Sequence, residues 1–153
     1  MIENLIELDE LPPSGLNFVL NSWMRSTRIN PVYRRINSAV FFNNHEMLIN
    51  KCLNRSNVVI ATPTSAPSLI IGYICFDDSH FTETVTVHYC YVKSDYRKMG
   101  IATYLFNLVT EGKHAILTHD AGDIPNTTYN PYEFWSQDGR AKEIERYKEQ
   151  KYN

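Results

Sequence analysis

A basic turn in the middle of the chain has the residue types that bind phosphate groups. Arg97 and Lys98 stand shortly before Gly100, between a predicted strand and a predicted helix. A glycine lets a ligand approach the backbone closely, and the first turn of a helix presents unpaired amides at the positive end of its dipole. A pyrophosphate is a natural ligand for such a turn. The chain contains neither Gly-x-x-x-x-Gly-Lys-Ser/Thr nor Gly-x-Gly-x-x-Gly, so from spacing alone a solvated basic pair on a tight turn is an equally good interpretation.

The periodicity of apolar residues shows which elements would position this turn. Helical spacing recurs in three segments, 16–30, 38–52 and 101–109, with Ser38 as a candidate cap for the second. Strand patterns recur in four segments, 58–61, 69–76, 84–92 and 115–118. A strand that feeds a helix and then a second strand favours a right-handed crossover, and the short strands before it favour antiparallel pairing. We therefore expect an α+β or mixed α/β fold around one sheet, with a single domain over 1–139 and a charged helical tail over 140–153.

The sequence allows more specific predictions of local structure at several places in the chain. The segment 84–92 alternates clearly. One strand face is predicted to hold Val85, Val87, Tyr89 and Tyr91, and the other Thr86, His88, Cys90 and Val92. The residues 77–79 are predicted to form a turn, and 120–131 to be irregular.

The composition excludes several classes of function. The formal net charge is −2, whereas a general nucleic-acid binder carries a basic excess, because phosphate neutralisation supplies most of its affinity. The three cysteines are widely spaced and form no Cys-x-x-Cys pair, which favours reduced thiols over a zinc ribbon or a redox pair. The histidines lack metal-ligand spacing, so no metal site is expected. Without a signal-peptide pattern or a long apolar run, we expect a cytoplasmic protein that has no membrane span.

The basic turn resembles the acyl-CoA-binding motif of the GNAT superfamily of acyltransferases, Gln/Arg-x-x-Gly-x-Gly/Ala, which Arg97, Gly100 and Ala102 match. In that family the strand before the turn splays from its neighbour and pantetheine fills the gap. The resemblance implies that Tyr91 and Val92 offer backbone groups to pantetheine and that the following residues surround the pyrophosphate. The implied cofactor-binding set is Tyr91, Val92, Arg97, Lys98, Met99, Gly100, Ile101, Ala102 and Thr103.

The order of elements over 16–118 is also similar to the GNAT family. This implies a central mixed, mostly antiparallel sheet flanked by helices, with splayed strands that form an acyl-CoA cleft. Residues 18–23 and 129–132 further resemble those of small phage-encoded members, in which case the protein would act in the host cytoplasm.

The chain departs from the family pattern at two catalytic positions. Some members carry a glutamate base on the strand before the motif, where this chain has Thr86. Members often carry a tyrosine acid in a later helix, and the nearest match, 134–139, has Trp135 in its place. The catalytic groups must therefore be sought elsewhere.

Two histidines are candidates for the base that deprotonates the attacking amine. A lysine-like amine has a pKa of about 10.4, so it must lose a proton before it attacks. His88 is the first candidate because it lies on the predicted strand face of Thr86; the alternative is a histidine packed in a half-buried sheet. His119, at the end of the following strand, is the second, and the alternative is an exposed loop histidine.

Proton donors to the departing thiolate are sought among nearby tyrosines. Tyr132 and Tyr129 follow the strand that ends near His119, although packing or a structural hydrogen bond would explain either one. Cys90 suggests a covalent acyl-enzyme, but spacing fixes no activating partner for it. We predict His88 and Tyr132 as the catalytic pair.

The resemblance implies transfer of an acetyl group from acetyl-CoA to a primary amine by direct attack, with the oxyanion held by a backbone amide near Tyr91. The acceptor stays open among a protein lysine, an N-terminus, a polyamine, an aminoglycoside-like molecule and an aminoacyl-tRNA, and a host protein is among the candidates. The alternative is a binding protein that kept the fold, lost the chemistry and acts on a host or partner protein. The missing glutamate and tyrosine favour that alternative, and the intact basic turn opposes it.

Overall fold

A six-stranded sheet forms the centre of the computed structural model, which describes residues 2–78 and 83–133. Each strand lies beside the next one in chain order. The strands are β1 (Ile6–Glu10), β2 (Asn57–Pro63), β3 (Gly72–Asp78), β4 (Thr84–Val92), β5 (His114–Leu117) and β6 (Thr127–Tyr129). The predicted tail over 140–153 and the family match over 134–139 lie outside the described residues.

The sheet is mixed, as the sequence predicts. The first four strands pair in antiparallel fashion, β5 runs parallel to β4, and β6 runs parallel to β5. Parallel neighbours need a crossover connection, and between β4 and β5 it contains the helix that follows the basic turn. This arrangement fixes the turn at one end of β4.

Helices cover both faces of the sheet. The described residues form the α-helices α1 (Leu16–Arg28), α2 (Pro31–Arg34), α3 (Ser38–Arg55) and α4 (Ile101–Thr110). The first and third pack on one face in a buried cluster that includes Val19, Trp23, Ile49, Cys52 and Tyr73. The helix α4 packs on the other face in a cluster that includes Val85, Val87, Ile101, Leu105 and Leu117. No helix within 2–78 and 83–133 has the length and hydrophobicity needed to cross a bilayer.

Several local expectations need correction. The edge strand β1 and the short strand β6 are additional, and β6 lies inside the stretch predicted to be irregular. Strand β3 begins later than expected and extends through Asp78, so Asp77 and Asp78 belong to the strand and not to a turn. The cap of α3 is Asn37, whose side chain accepts from the amides of Ala39 and Val40, and Ser38 is the first helical residue.

A β-bulge in β4 overturns the predicted alternation of its side chains. Tyr89 pairs with Cys75 and Val87 pairs with Phe76, so His88 is an extra residue. Val87 belongs to the cluster beneath α4, whereas Tyr89 belongs to the cluster beneath α1 and α3. The predicted common face of valines and tyrosines is therefore wrong: the two tyrosines point toward α1 and α3, and the two valines toward α4.

Candidate functional site

A gap opens in the sheet where β4 and β5 part. Their paired stretch ends where Val87 lies opposite Leu117, and there the Thr118 amide donates to the Val87 carbonyl over 3.1 Å. Strand β4 continues to Val92 along β3. Within the described residues no strand pairs with the other edge of this last stretch, so its backbone groups on that side face the gap.

Two cavities meet at the gap. The larger, of about 700 Å³, lies on the side of α1 and α3. The smaller, of about 480 Å³, lies beside α4, where Ala102 and Thr103 line it. Cys90, His119 and Ala121 line both. A molecule extending through the gap would therefore pass these three residues.

The basic turn leads directly into α4. Gly100 takes the N-cap position with φ of +87°, in the left-handed region that suits glycine, and a side chain there would meet no atom within 4 Å. Lys98 also has a positive φ, of 65°. No side chain caps the helix, so the amides of its first turn remain available on the wall of the smaller cavity.

Strand pairing determines which backbone groups of β4 face the gap and which face β3. The Lys93 amide donates to the Ile71 carbonyl beside β3 over 2.8 Å. Because successive residues of a strand direct their amides to opposite edges, the backbone of Tyr91 also faces β3, and those of Cys90 and Val92 face the gap. The Nε atom of Arg97 donates to the Val92 carbonyl over 2.9 Å, on that edge.

The side chains of the predicted cofactor set fall into two groups. Those of Tyr91, Val92 and Ile101 pack in the interior, wholly or in part, so only their backbone is free to meet a ligand. The others are exposed around the turn, namely Arg97, Lys98, Met99, Ala102 and Thr103, together with Gly100.

His88 is held by hydrogen bonds from both sides. Its side chain is 1% exposed, Nε2 lies 2.7 Å from a carboxylate oxygen of Asp77, and Nδ1 lies 3.2 Å from the Thr118 hydroxyl. When Asp77 accepts from Nε2–H, the Nδ1 atom of the neutral ring is an acceptor for Thr118. His88 and Thr118 also line the larger cavity. Asp77 was missed by the sequence analysis because two adjacent aspartates resemble a turn.

His119 lies where the cavities meet. Its ring lies 5.1 Å from that of Tyr89, centroid to centroid. Burial, with a smaller contribution from the neighbouring His88, lowers the pKa of His119 to about 4. The Nδ1 atom is buried without a hydrogen-bond partner among the described residues. At neutral pH this ring is therefore uncharged.

The remaining candidates differ in position. Tyr129 lines the larger cavity, while Tyr132 is 77% exposed and is absent from the described lining of both cavities. Burial raises the pKa of the Cys90 thiol to about 12, so the thiolate is scarce at neutral pH. This weighs against Cys90 as a covalent nucleophile.

Comparison with known proteins identifies the family. The model of the acetyltransferase (GNAT) family matches residues 23–117, more than half of the chain. The chain belongs to the GNAT family. No curated protein matches the GNAT chain at a significant level.

Solved structures share the GNAT fold with this chain. One from Pyrococcus furiosus, assigned as an acetyl transferase, has a TM-score of 0.59 at 13% identity and covers 87% of this chain and 90% of its own. A Corynebacterium glutamicum structure, described as histone acetyltransferase HPA2 and related acetyltransferase, has a TM-score of 0.54 at 15% identity, covering 70% and 71%. A Clostridium difficile 630 protein, assigned as an acetyltransferase, has a TM-score of 0.50 at 18% identity, covering 70% of each chain.

The GNAT position that holds a glutamate in some members has a carboxylate close by in this chain. The motif resemblance predicts that Thr86 occupies that position on β4, and its direct cross-strand partner on β3 is Asp77. The carboxylate of Asp77 contacts His88, two residues beyond Thr86. A carboxylate and an imidazole thus stand where the sequence alone shows only a threonine.

Proposed function

We propose that this GNAT protein moves an acetyl group from acetyl-CoA to a primary amine by direct attack. The observation that carries the proposal is the gap between β4 and β5, with one cavity on each side and shared walls at Cys90 and His119. The cofactor would enter from the α4 side and the amine from the other. The thioester carbon would then meet the amine in the gap.

The basic turn would hold the cofactor's phosphates. Its exposed cations are Arg97 and Lys98, and the open space above Gly100 leaves room for a pyrophosphate against the first amides of α4. The backbone of Val92 at the gap edge would meet the pantetheine arm. Tyr91, predicted in the same role, contributes by positioning its neighbours, because its own backbone faces β3.

A backbone amide at the gap would stabilise the oxyanion. When the amine attacks, the thioester carbonyl oxygen becomes negatively charged, and a fixed N–H donor lowers the energy of that state. The Cys90 amide is the candidate, because strand pairing directs it into the gap. The N–C bond forms, the C–S bond breaks, and the proton lost by nitrogen finally reaches the sulfur.

We assign proton transfer to the chain Asp77–His88–Thr118. The Thr118 hydroxyl at the cavity wall would take a proton from the amine as it passes its own to Nδ1 of His88. The resulting imidazolium would be paired with the Asp77 carboxylate at 2.7 Å. His119, whose pKa of about 4 makes it a weak proton acceptor, would instead pack beside the amine at the gap.

Tyr129 is better placed than Tyr132 to protonate the thiolate, because only Tyr129 lines the cavity in the described chain.

Other parts of the function rest on sequence alone. The predicted role of Tyr132, the likeness to phage-encoded members, the cytoplasmic location and a host-protein acceptor stay predictions.

Acetyl transfer can be tested with purified protein, acetyl-CoA and a panel of primary amines, following thiol release and the mass of the product. We expect an acetylated amine and one equivalent of free CoA for each transfer. Acetyl-CoA at a hundredfold excess over its Kd should stabilise the fold by about 2.7 kcal/mol in a thermal or urea titration. Stabilisation without transfer to any amine would favour the binding-protein alternative. The absence of both stabilisation and transfer would contradict the proposed acetyl transfer.

A further inference from the structure

The larger cavity has an aromatic wall. Rings reach it from four elements: Trp23 on α1, Tyr33 on α2, His45 on α3 and Tyr89 on β4. Trp23 stacks on Tyr89 at 4.9 Å between centroids, and Tyr33 meets His45 edge to face at 5.3 Å. Tyr129 of β6 adds a ring that is 54% exposed. Sites for small molecules are usually lined in this way, with a few polar groups that set orientation.

The charges of this wall do not suit a polycation. Among its described residues the only carboxylate is that of Asp120, which is exposed, and Arg97 adds a positive charge. Burial lowers the pKa of His45, so at neutral pH this ring is uncharged, as is that of His119. A polyamine or an aminoglycoside would bury several ammonium groups here without carboxylates to pair them, which is costly.

Several polar groups of the wall are already satisfied inside the protein. The Tyr89 hydroxyl hydrogen-bonds that of Ser26, and Ser26 also donates to the Ser22 carbonyl over 2.6 Å. These hydroxyls are therefore not available to bind a ligand. Aromatic pairs of this kind contribute about 0.5–1.5 kcal/mol beyond the area that they bury.

We propose that the acceptor is a small primary amine carried on an aromatic ring, such as an arylethylamine. This rests on the proposed acetyl transfer, since it names the substrate of the same site. The ring would pack within the aromatic wall, while the amine would reach the gap beside Cys90 and His119. One aromatic ring with one amino group matches a cavity that has many rings and few charges.

The proposal is tested by comparing 2-phenylethylamine, tyramine and tryptamine with butylamine, spermidine and a lysine amide. We expect kcat/KM to be at least about tenfold higher for the aryl amines, which corresponds to about 1.4 kcal/mol. Tyr33→Leu should reduce the ratio of aryl amine to butylamine by about threefold to tenfold, while Tyr33→Phe keeps it. This ratio does not depend on the amount of folded enzyme. Met47→Ala, on an exposed part of α3 outside the described cavity wall, should leave the ratio unchanged.

Binding separates this proposal from acetyl transfer itself. Ligand-observed NMR with 2-phenylethylamine in the presence of CoA should show contact with the wild type and weaker contact with Tyr33→Leu. If the aryl amine binds and no amine is acetylated, the cavity takes the proposed ligand, but the proposed reaction is wrong and the aryl amine is not an acceptor. If spermidine, butylamine or the lysine amide equals the aryl amines in both assays, the acceptor proposal is overturned and the reaction stands.

Discussion

The carboxylate of Asp77 lies 2.7 Å from Nε2 of His88, across the boundary between β3 and β4. Asp77 is the direct cross-strand partner of Thr86, and His88, two residues further along β4, lies at the bulge. The pair brings a carboxylate near the GNAT glutamate position by way of a neighbouring strand. The absence of a glutamate on β4 is therefore weak evidence that the protein has lost catalytic activity.

Replacing the proposed base should slow the reaction and spare cofactor binding. His88→Gln is expected to reduce kcat by about a hundredfold to ten-thousandfold at neutral pH, the usual effect of removing a general base. The Kd for acetyl-CoA, measured by calorimetry, should change little, since the basic turn is untouched. The loss should shrink at high pH, where more of the amine is already neutral. If His88→Gln keeps normal turnover across the pH range, His88 is not the general base, and His119 or an ordered water takes that role.

The proposed proton transfer through Asp77, His88 and Thr118 can also be tested with a matched pair of variants at Thr118. Thr118→Val removes the hydroxyl that lies 3.2 Å from Nδ1 of His88, and should lower kcat by a similar order. Thr118→Ser retains a hydroxyl and should retain most of the activity. Equal activities of the two variants in steady-state assays would show that no proton passes through this residue.

A charged side chain in the basic turn should abolish cofactor binding. Gly100→Glu would place a carboxylate in the open space meant for the pyrophosphate, and at φ of +87° it adds strain of about 1–2 kcal/mol. Gly112→Glu is the matched control, because Gly112 has φ of +80° and open space at the other end of α4. Calorimetry should show no acetyl-CoA binding in the first variant and normal affinity in the second. Normal affinity in a folded Gly100→Glu protein would rule out this phosphate site.

Cys90 should be dispensable as a nucleophile. Burial raises the pKa of its thiol to about 12, so a ping-pong reaction through an acetyl-cysteine is not expected. Cys90→Ala should keep turnover within about tenfold of the wild type, because only a small side chain at the cavity wall is lost. Intact mass after incubation with acetyl-CoA alone should show unmodified protein. An acetyl adduct on the wild type that disappears in Cys90→Ala would contradict direct attack.

Acid should destabilise the protein through His119. Its pKa is lowered to about 4 in the folded state, while the unfolded chain protonates near the ordinary value of about 6.5. The unfolded state therefore binds more protons between these values, and the free energy of unfolding falls as pH drops from about 6.5 to about 4. Urea titrations at several pH values should show a smaller fall for His119→Gln. His45, also with a lowered pKa, is common to both proteins and cancels in the difference.

The basic turn and its helix were predictable because they depend on local sequence. Helix α4 begins at Ile101 as expected, and the crossover and the mixed sheet follow from the order of the elements. The strand β1 was missed because its five residues include only two apolar ones, and β6 because three residues are too few for a periodic signal. Strand β1 is held by pairing with β2, far along the chain, and β6 by parallel pairing with β5, and no local pattern records either pairing.

The catalytic arrangement was less predictable for the same reason. His88 could be named as a candidate, but its partner Asp77 comes from another strand and depends on pairing register. The bulge has no signature in the sequence, since Thr84 to Val92 alternates whether or not a residue is unpaired. Nor could the sequence separate Tyr129 from Tyr132, because the path of the chain after β6 decides which side chain reaches the cavity.

The bulge also makes His88 a residue that the sheet itself does not need. If β4 is counted without it, Val87 and Tyr89 become consecutive, as are their partners Phe76 and Cys75 on β3. The pairing between β3 and β4 would then be continuous, with the valines still beneath α4 and the tyrosines still beneath α1 and α3. The imidazole is thus an insertion that leaves both hydrophobic layers in place. Evolution can exchange the chemistry at this point, or discard it, without rebuilding the scaffold.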